Sequence, residues 1–378
     1  MRKTWARIAA GLAVTAAVVF TITADATDNL TAGKVELKSA GALTFGPTGI
    51  LFVGDSVSGT VVALDTGDRT PAAAGAKISV EGVDAKIAAL VGTSPDQIMV
   101  NDVTVNPVSK NAWLSASRGH GADAAPLIVR VDASGKVSVL ALDNIRHASV
   151  NLVDAPESNT TGRQNPRMMT VTDMSFVNGD LMVAGLSNEE WSSALRSIPY
   201  PFRKAEEGAT LQIWHSSHGR YETQSPVRTF VPYTIGGEKV ILAAYTCTPL
   251  VKIPVSDLKP GAKVKGVTIA DLGAGNSPLD MVPYRKDGHD YILVANTSFG
   301  VVKMKADNMQ SYPAIDSPTR TDVAGVPYDK MPELKNVQHL TQLDATDAVI
   351  LTAKPGPGPA FNPGPPSGPV NLQTIALP

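Results

Sequence analysis

The sequence predicts an all-β fold, a six-bladed β-propeller, on three observations. First, one unit is written twice: Val231–Ile253 lies ungapped over Val282–Met304 at an offset of 51 residues, with 10 identities in 23 aligned pairs. A repeat of this period that carries three short strand patterns is the signature of a propeller blade. Second, the same order of Gly-containing turn, apolar strand, short loop and alternating strand recurs along most of the chain. Third, Gly33–Lys38 alternates like a strand without a nearby hairpin partner, whereas the last strand set has three members and lacks a fourth. Pairing the N-terminal strand with the C-terminal blade closes the ring and removes an exposed edge.

The N-terminus is set aside before the fold is read. Arg2, Lys3 and Arg7 precede an apolar run from Ile8 to Ile22, and Ala24-Asp25-Ala26 is a small-x-small cleavage pattern. Residues 1–26 are therefore expected to be a signal peptide, residues 27–378 a single propeller domain, and the mature protein periplasmic or secreted. The run is short for a membrane span of ~20 residues, and no Cys stands at the cleavage site to take a lipid. No membrane association is expected after its removal. A formal charge of −2 and a pI near 6.3 supply no electrostatic reason to propose nucleic acid. The single cysteine, Cys247, excludes an internal disulfide, so core packing and sheet pairing must hold the fold.

Taken in order, Ala42–Asp65 reads as three strands, with Lys77–Glu81 as the fourth of a first blade. Asp102–Ser117, Leu127–Asp132 and Lys136–Leu140 make a second by period-2 alternation. Asp173–Leu186, Thr210–His215 and Arg220–Thr223 make a third, and the duplicated units are the fourth and fifth. Leu340–Ala353 and Val370–Leu377 form the last. A seventh blade fits only if residues 306–335 hold a degenerate one. Residues 141–169 and 187–208 read as long polar loops, a length more often functional than idle, and are the expected surface for any protein partner.

This recurrent pattern, without Trp-Asp strand endings, resembles the propellers of the NHL and gluconolactonase-like superfamily. The resemblance spans the whole mature chain and implies the fold alone, since one fold hosts many chemistries.

Register across the repeats maps the candidate chemistry. The residue at the head of each innermost strand is Ala42, Asp102, Asp173, Thr229, Asp280 and His339, so three carboxylates and an imidazole are expected to converge on the channel mouth. Oxygen ligands suit calcium, and added His or Cys favours a transition metal, copper above all in an exported chain. Alternatively, each Asp accepts backbone N–H groups at a tight turn. The loops of the same face place Cys247 and His120 above the funnel. Cys247 aligns with Ser298 of the next repeat, so the loop does not need a thiol to fold. It reads as a copper ligand with His120 or His339, as a thiolate nucleophile, or as a buried small apolar residue. Cys247-Thr248-Pro249 is similar to the core of the formylglycine motif, but Val251 stands where that motif has Arg.

His215 and His218 form a possible ligand pair, but the alignment with Asp132–Gly135 puts them on the opposite rim, as solvated turn residues or part of a separate metal site. Glu189 is a candidate acid or base above the funnel. The combined expectation is a metal-dependent enzyme acting on a small molecule, copper-dependent oxidation placed ahead of calcium-dependent lactone or ester hydrolysis. The alternative is a propeller that binds a ligand or protein without catalysis.

Overall fold

The computed structural model describes residues 29–159, 161, 165–319, 323–359, 364 and 366–378; the expected signal peptide lies outside them. Among the described residues the strands fall into six sheets, here called blades I to VI in the order of their innermost strands. From the channel outward, blade I is Leu43–Phe45, Ile50–Asp55, Thr60–Asp65, Ile145–Asn151 and Thr31–Gly33. Blade II is Ile98–Val105, Ala112–Arg118, Ala125–Val131 and Val137–Val139. Blade III is Asp173–Val177, Asp180–Leu186, Ser193–Pro199, Ala209–His215 and Arg220–Glu222, with Lys263–Lys265 parallel to its fourth strand. Blade IV is Val227–Ile235, Glu238–Tyr245, Pro249–Pro254, Val267–Asp271 and Ala324–Gly325. Blade V is Pro278–Lys286, His289–Asn296, Gly300–Lys305 and Tyr328–Lys330, and blade VI is Val337–Gln342, Asp347–Lys354, Ser367–Ala376 and Ser79–Val80. The first three strands of blades IV and V correspond at the offset of the sequence repeat, and the six-bladed reading holds. Residues 306–335 supply outer strands to blades IV and V, and no seventh sheet exists among the described residues.

Six apolar clusters fill the six spaces between neighbouring blades and establish their order. Ile50 and Phe52 pack with Met174 and Leu181 of blade III, whereas Leu51 and Val53 pack with Trp113 and Ile128 of blade II. Alternate side chains of one strand thus serve opposite neighbours, which is why the inner strands read as unbroken apolar runs. The other clusters join III with IV, IV with V, V with VI and VI with II. The ring therefore runs I, III, IV, V, VI, II, and the first two blades stand in reverse of their chain order.

The cause is a split first blade. Lys77–Glu81 does not complete blade I; its Ser79–Val80 pairs with Gln373 and Leu372 and completes blade VI. The chain next builds blade II and returns to complete blade I with Ile145–Asn151, which pairs with Thr60–Leu64. Closure by an early strand is therefore present, but Ser79–Val80 performs it. Of the Gly33–Lys38 segment only Gly33 is in a strand, at the edge of blade I against Ile145. The helix Val83–Val91 then covers the junction of blades II and VI with Val83 and Ile87.

Both expected long loops are shorter than the sequence suggests. Ile145–Asn151 and Ser193–Pro199 are strands within blades. The second omission matters most for function. One added strand in blade III reverses the direction of the later strands of that blade, so the hairpin carrying His215 and His218 moves to the face on which Cys247 lies.

Candidate functional site

The six register residues meet at one mouth of the channel. Asp102, Thr229, Asp280 and His339 each sit at a β-bulge in the innermost strand, and a small cavity of about 110 Å³ is lined by Ala42, Asp102, Asp173, Asp280 and His339. In ring order the positions read Ala42, Asp173, Thr229, Asp280, His339, Asp102, so acidic and non-acidic residues alternate. Each carboxylate accepts a backbone N–H from the neighbouring blade: Leu43 donates to Asp102 Oδ2 (2.6 Å), Phe230 to Asp173 Oδ2 (2.8 Å) and Leu340 to Asp280 Oδ2 (2.8 Å). The aspartates tie blade to blade, so the hydrogen-bonding alternative describes their contacts; Asp102 and Asp173 also accept the N–H of the next residue, Val103 and Met174, each at 2.7 Å.

His339 occupies a non-acidic position between two of them. Its Nδ1 lies 3.1 Å from Asp280 Oδ2 and 3.6 Å from Asp102 Oδ1, and one donor atom from each of the three residues falls within 4.8 Å of the others. Burial, reinforced by the Asp280 charge, pushes the Asp102 carboxyl up to about 7 despite His339 and two backbone donors. Burial also raises Asp173 well above the carboxylate range. His339 is raised as well: burial opposes its charge, and the Asp280 and Asp102 carboxylates outweigh burial.

A second cluster lies in a cavity of about 370 Å³ lined by His215, His218, Glu222, Arg228, Cys247 and Met169, among others. Donor atoms of His215, His218 and Cys247 lie within 4.8 Å of one another. The fourth strand of blade III ends at His215, a single 3-10 turn of Ser216–His218 follows, and Gly219 takes a left-handed φ of 61° to turn the chain back into Arg220–Glu222. The turn brings the two imidazole centroids to 4.1 Å.

Glu222 orients both rings. His215 Nδ1 lies 2.6 Å from Glu222 Oε2, and His218 Nδ1 lies 2.8 Å from Oε1. Arg220 Nε and Ser225 Oγ donate to the same carboxylate at 2.9 and 3.1 Å. Burial works against the Glu222 charge, but Arg220, His215 and His218 together hold its pKa down to about 2. An ionised carboxylate only accepts hydrogen bonds. Each Nδ1 must therefore carry a proton, so that in a neutral ring Nε2 is the bare lone pair. Burial also lowers His215 below its ordinary value, outweighing Glu222, so the ring is neutral at neutral pH, as a ligand must be. His215 is 1% exposed, and its Nε2 has no hydrogen-bond partner among the described residues. An imidazole whose proton-bearing nitrogen is held by a carboxylate is the arrangement of metal-ligating histidines.

Cys247 arrives from the loop between the second and third strands of blade IV. Its N–H donates to Asn276 O (2.7 Å), and both Cys247 (φ 60°) and Thr248 (φ 57°) are left-handed. A β-branched residue in that region is strained by about 1–2 kcal/mol, and such strain gathers at functional sites. Ser298, at the matching place in blade V, shows no such φ.

The remaining candidates stand apart. His120 is exposed, bonded to Asp96 O at 2.8 Å and beside a different cavity near Asp84 and Val370. His339 is held by the channel carboxylates. Neither belongs to the group around Cys247, which corrects the expected pairing. Glu189 is exposed, with its N–H directed to Ser187 Oγ at 3.4 Å. The expectation that His215 and His218 lie on the far rim is overturned by the inserted strand Ser193–Pro199. Sequence reasoning missed Glu222, Met169 and Arg228; Glu222 left a local signal, the spacing His-x2-His-x3-Glu.

Fold and site together define a six-bladed β-propeller with, among the described residues, two groups that could hold a metal ion. No known family signature and no curated protein matches the chain. Among solved structures it is similar to a streptogramin B lyase (11% identity, 92% of this chain and 97% of that one, TM-score 0.28). It is also similar to a chain of a mitotic checkpoint complex (9%, 99% of each, 0.37). A third is the PQQ-bound aldose sugar dehydrogenase from Streptomyces coelicolor (11%, 91% and 97%, 0.27). At these scores the likenesses carry no argument about activity. No helix among the described residues is long and apolar enough to cross a membrane.

Proposed function

We propose that the protein is an exported metal-binding propeller in which His215, His218 and Cys247 hold a copper ion, and that it acts as an oxidoreductase on a small molecule. The observation that carries this reading is the shared carboxylate: Glu222 holds both imidazoles through Nδ1 while their donor group gathers with the Cys247 thiol. Two imidazoles and a thiolate suit copper and zinc, and the thioether of Met169 in the same cavity favours copper. The leader at residues 1–26 supports export to the periplasm or beyond, where a lone thiol is most readily kept by a metal.

Elemental analysis of the mature chain, purified without added metal or chelator, tests the proposal alongside a thiol titration. Near-stoichiometric copper with a protected Cys247, and its loss in Cys247→Ser, is the expected outcome. The calcium-dependent hydrolase reading uses Asp102, Asp280 and His339 instead. Backbone N–H groups already engage both aspartates there, so it ranks second; it requires calcium that survives Cys247→Ser and is lost in Asp280→Asn. Absence of any stoichiometric metal supports the non-catalytic binding propeller.

A further inference from the structure

The copper reading leaves one charged group in the same cavity without a task. Arg228 lines both the His–Cys cavity and the channel-mouth cavity. It is the extra residue of the β-bulge between Val227 and Thr229, and a bulge redirects a side chain that regular pairing would send to a blade face. Its Nε is buried with no hydrogen-bond partner, and it makes no ion pair among the described residues. Burial alone disfavours its charge, with no carboxylate offsetting the effect. A guanidinium does not escape by losing its proton, so Arg228, half-buried with its Nε desolvated and unpaired, gains from a counter-charge supplied from elsewhere.

Three comparisons show that the fold does not require this arginine. The equivalent bulge positions of blades II, V and VI hold Asn101, Leu279 and Gln338, none of them charged. The register position beside it is Thr229, one of the three non-acidic positions of the ring, so no acid of its own blade stands next to Arg228 there. The other arginine of the cavity, Arg220, is neutralised by Glu222 at 2.9 Å. A divalent ion on His215, His218 and Cys247 has half its charge cancelled by the thiolate, and the Arg228 charge is not cancelled at all. Three protein ligands also leave room for an exogenous one.

We propose that Arg228 and the metal site together bind a small oxyanion, one oxygen on the metal and another on the guanidinium, and that the substrate of the cavity carries such a group. The planar fork of arginine suits a carboxylate or phosphate of this kind, and a cavity of about 370 Å³ limits the molecule to a small one. This inference rests on the metal reading above.

The test uses the mature, copper-loaded protein with oxalate and inorganic phosphate as separate probes, followed by calorimetry and by the visible spectrum of the metal. Arg228→Met is expected to keep its copper and to lose roughly 10- to 100-fold in affinity for the anion that binds, with Arg228→Lys in between because it keeps charge without the fork. Oxalate binding alone assigns a carboxylate, and phosphate binding alone a phosphate. Arg228 is half-buried with its Nε unpaired, so the metal-free variant is expected to melt close to the wild type and should fold. Equal anion affinity in wild type and Arg228→Met, both holding copper, overturns the inference and leaves the metal site standing. A wild-type protein that takes up no stoichiometric metal removes the metal reading and this inference with it.

Discussion

Replacing Glu222 by Gln is the most searching perturbation of the His–Cys cavity. The carboxylate accepts four side-chain donors, His215 and Ser225 on one oxygen and His218 and Arg220 on the other. An amide keeps one acceptor oxygen and turns an NH2 toward the other pair. One histidine then loses its acceptor and gains by moving its proton to Nε2, the atom needed for the metal. Loss of an orienting carboxylate typically weakens metal binding by about 10- to 100-fold, or ~1.4–2.7 kcal/mol.

Stability without metal should respond as well. A carboxyl at about 2 in place of the ordinary 4.5 stabilises the fold by at most roughly 3 kcal/mol, less what solvent screens at the cavity mouth. For a depressed acid this contribution is present above the unfolded value near 4.5 and is lost as pH falls through about 2. Competition with a chelator of known copper affinity measures the first effect, and thermal denaturation of the metal-free protein between neutral and acid pH measures the second. Unchanged copper affinity in Glu222→Gln refutes the argument that this carboxylate sets the tautomer of both rings.

Other outcomes follow from the same contacts. Asp102, raised from 3.8 to about 7, contributes stability that is complete below about pH 4 and lost as pH rises through about 7, and the raised His339 acts in the same direction. The melting temperature should fall over that interval, and fall less in Asp102→Asn. Arg196, 1% exposed, pairs with Asp154 at 2.6 Å and donates to the carbonyls of Thr170 and Leu186. Arg196→Met strands a buried carboxylate and is expected to cost about 3–5 kcal/mol in chemical denaturation, part of which Asp154→Leu should restore. Leu372→Ala removes a fully buried side chain beside Val80, where blade VI is closed. Its expected cost is about 2–5 kcal/mol.

The propeller was legible because the duplication of Val231–Ile253 exposes strand lengths, loop lengths and register together. Extending that register to the other blades identified all six residues at the channel mouth. Their alternation around the ring was not visible, because it depends on blade II standing between blades VI and I. A two-residue strand such as Ser79–Val80 does not encode which sheet it joins; that choice is made by Ile78, Val80 and Val83 burying themselves between blades II and VI. Ser193–Pro199 was hidden for a different reason. Its alternation is interrupted by the buried, charge-paired Arg196, which reads as a loop residue until Asp154 is placed beside it. That one omission reversed the direction of the chain and separated His215 and His218 from Cys247. Arg228 was within reach, since the repeat aligns it with Leu279 a few residues before the identities begin, and the exchange of an apolar residue for a charge is a signal.

The proposed metal centre is tested most directly by the copper content and visible spectrum of the mature protein, measured beside Cys247→Ser. Close to one copper per chain and a thiolate-to-copper charge-transfer band are expected, both absent from the variant. A wild-type protein without stoichiometric transition metal, and with a thiol that reacts as freely as an exposed cysteine, contradicts it.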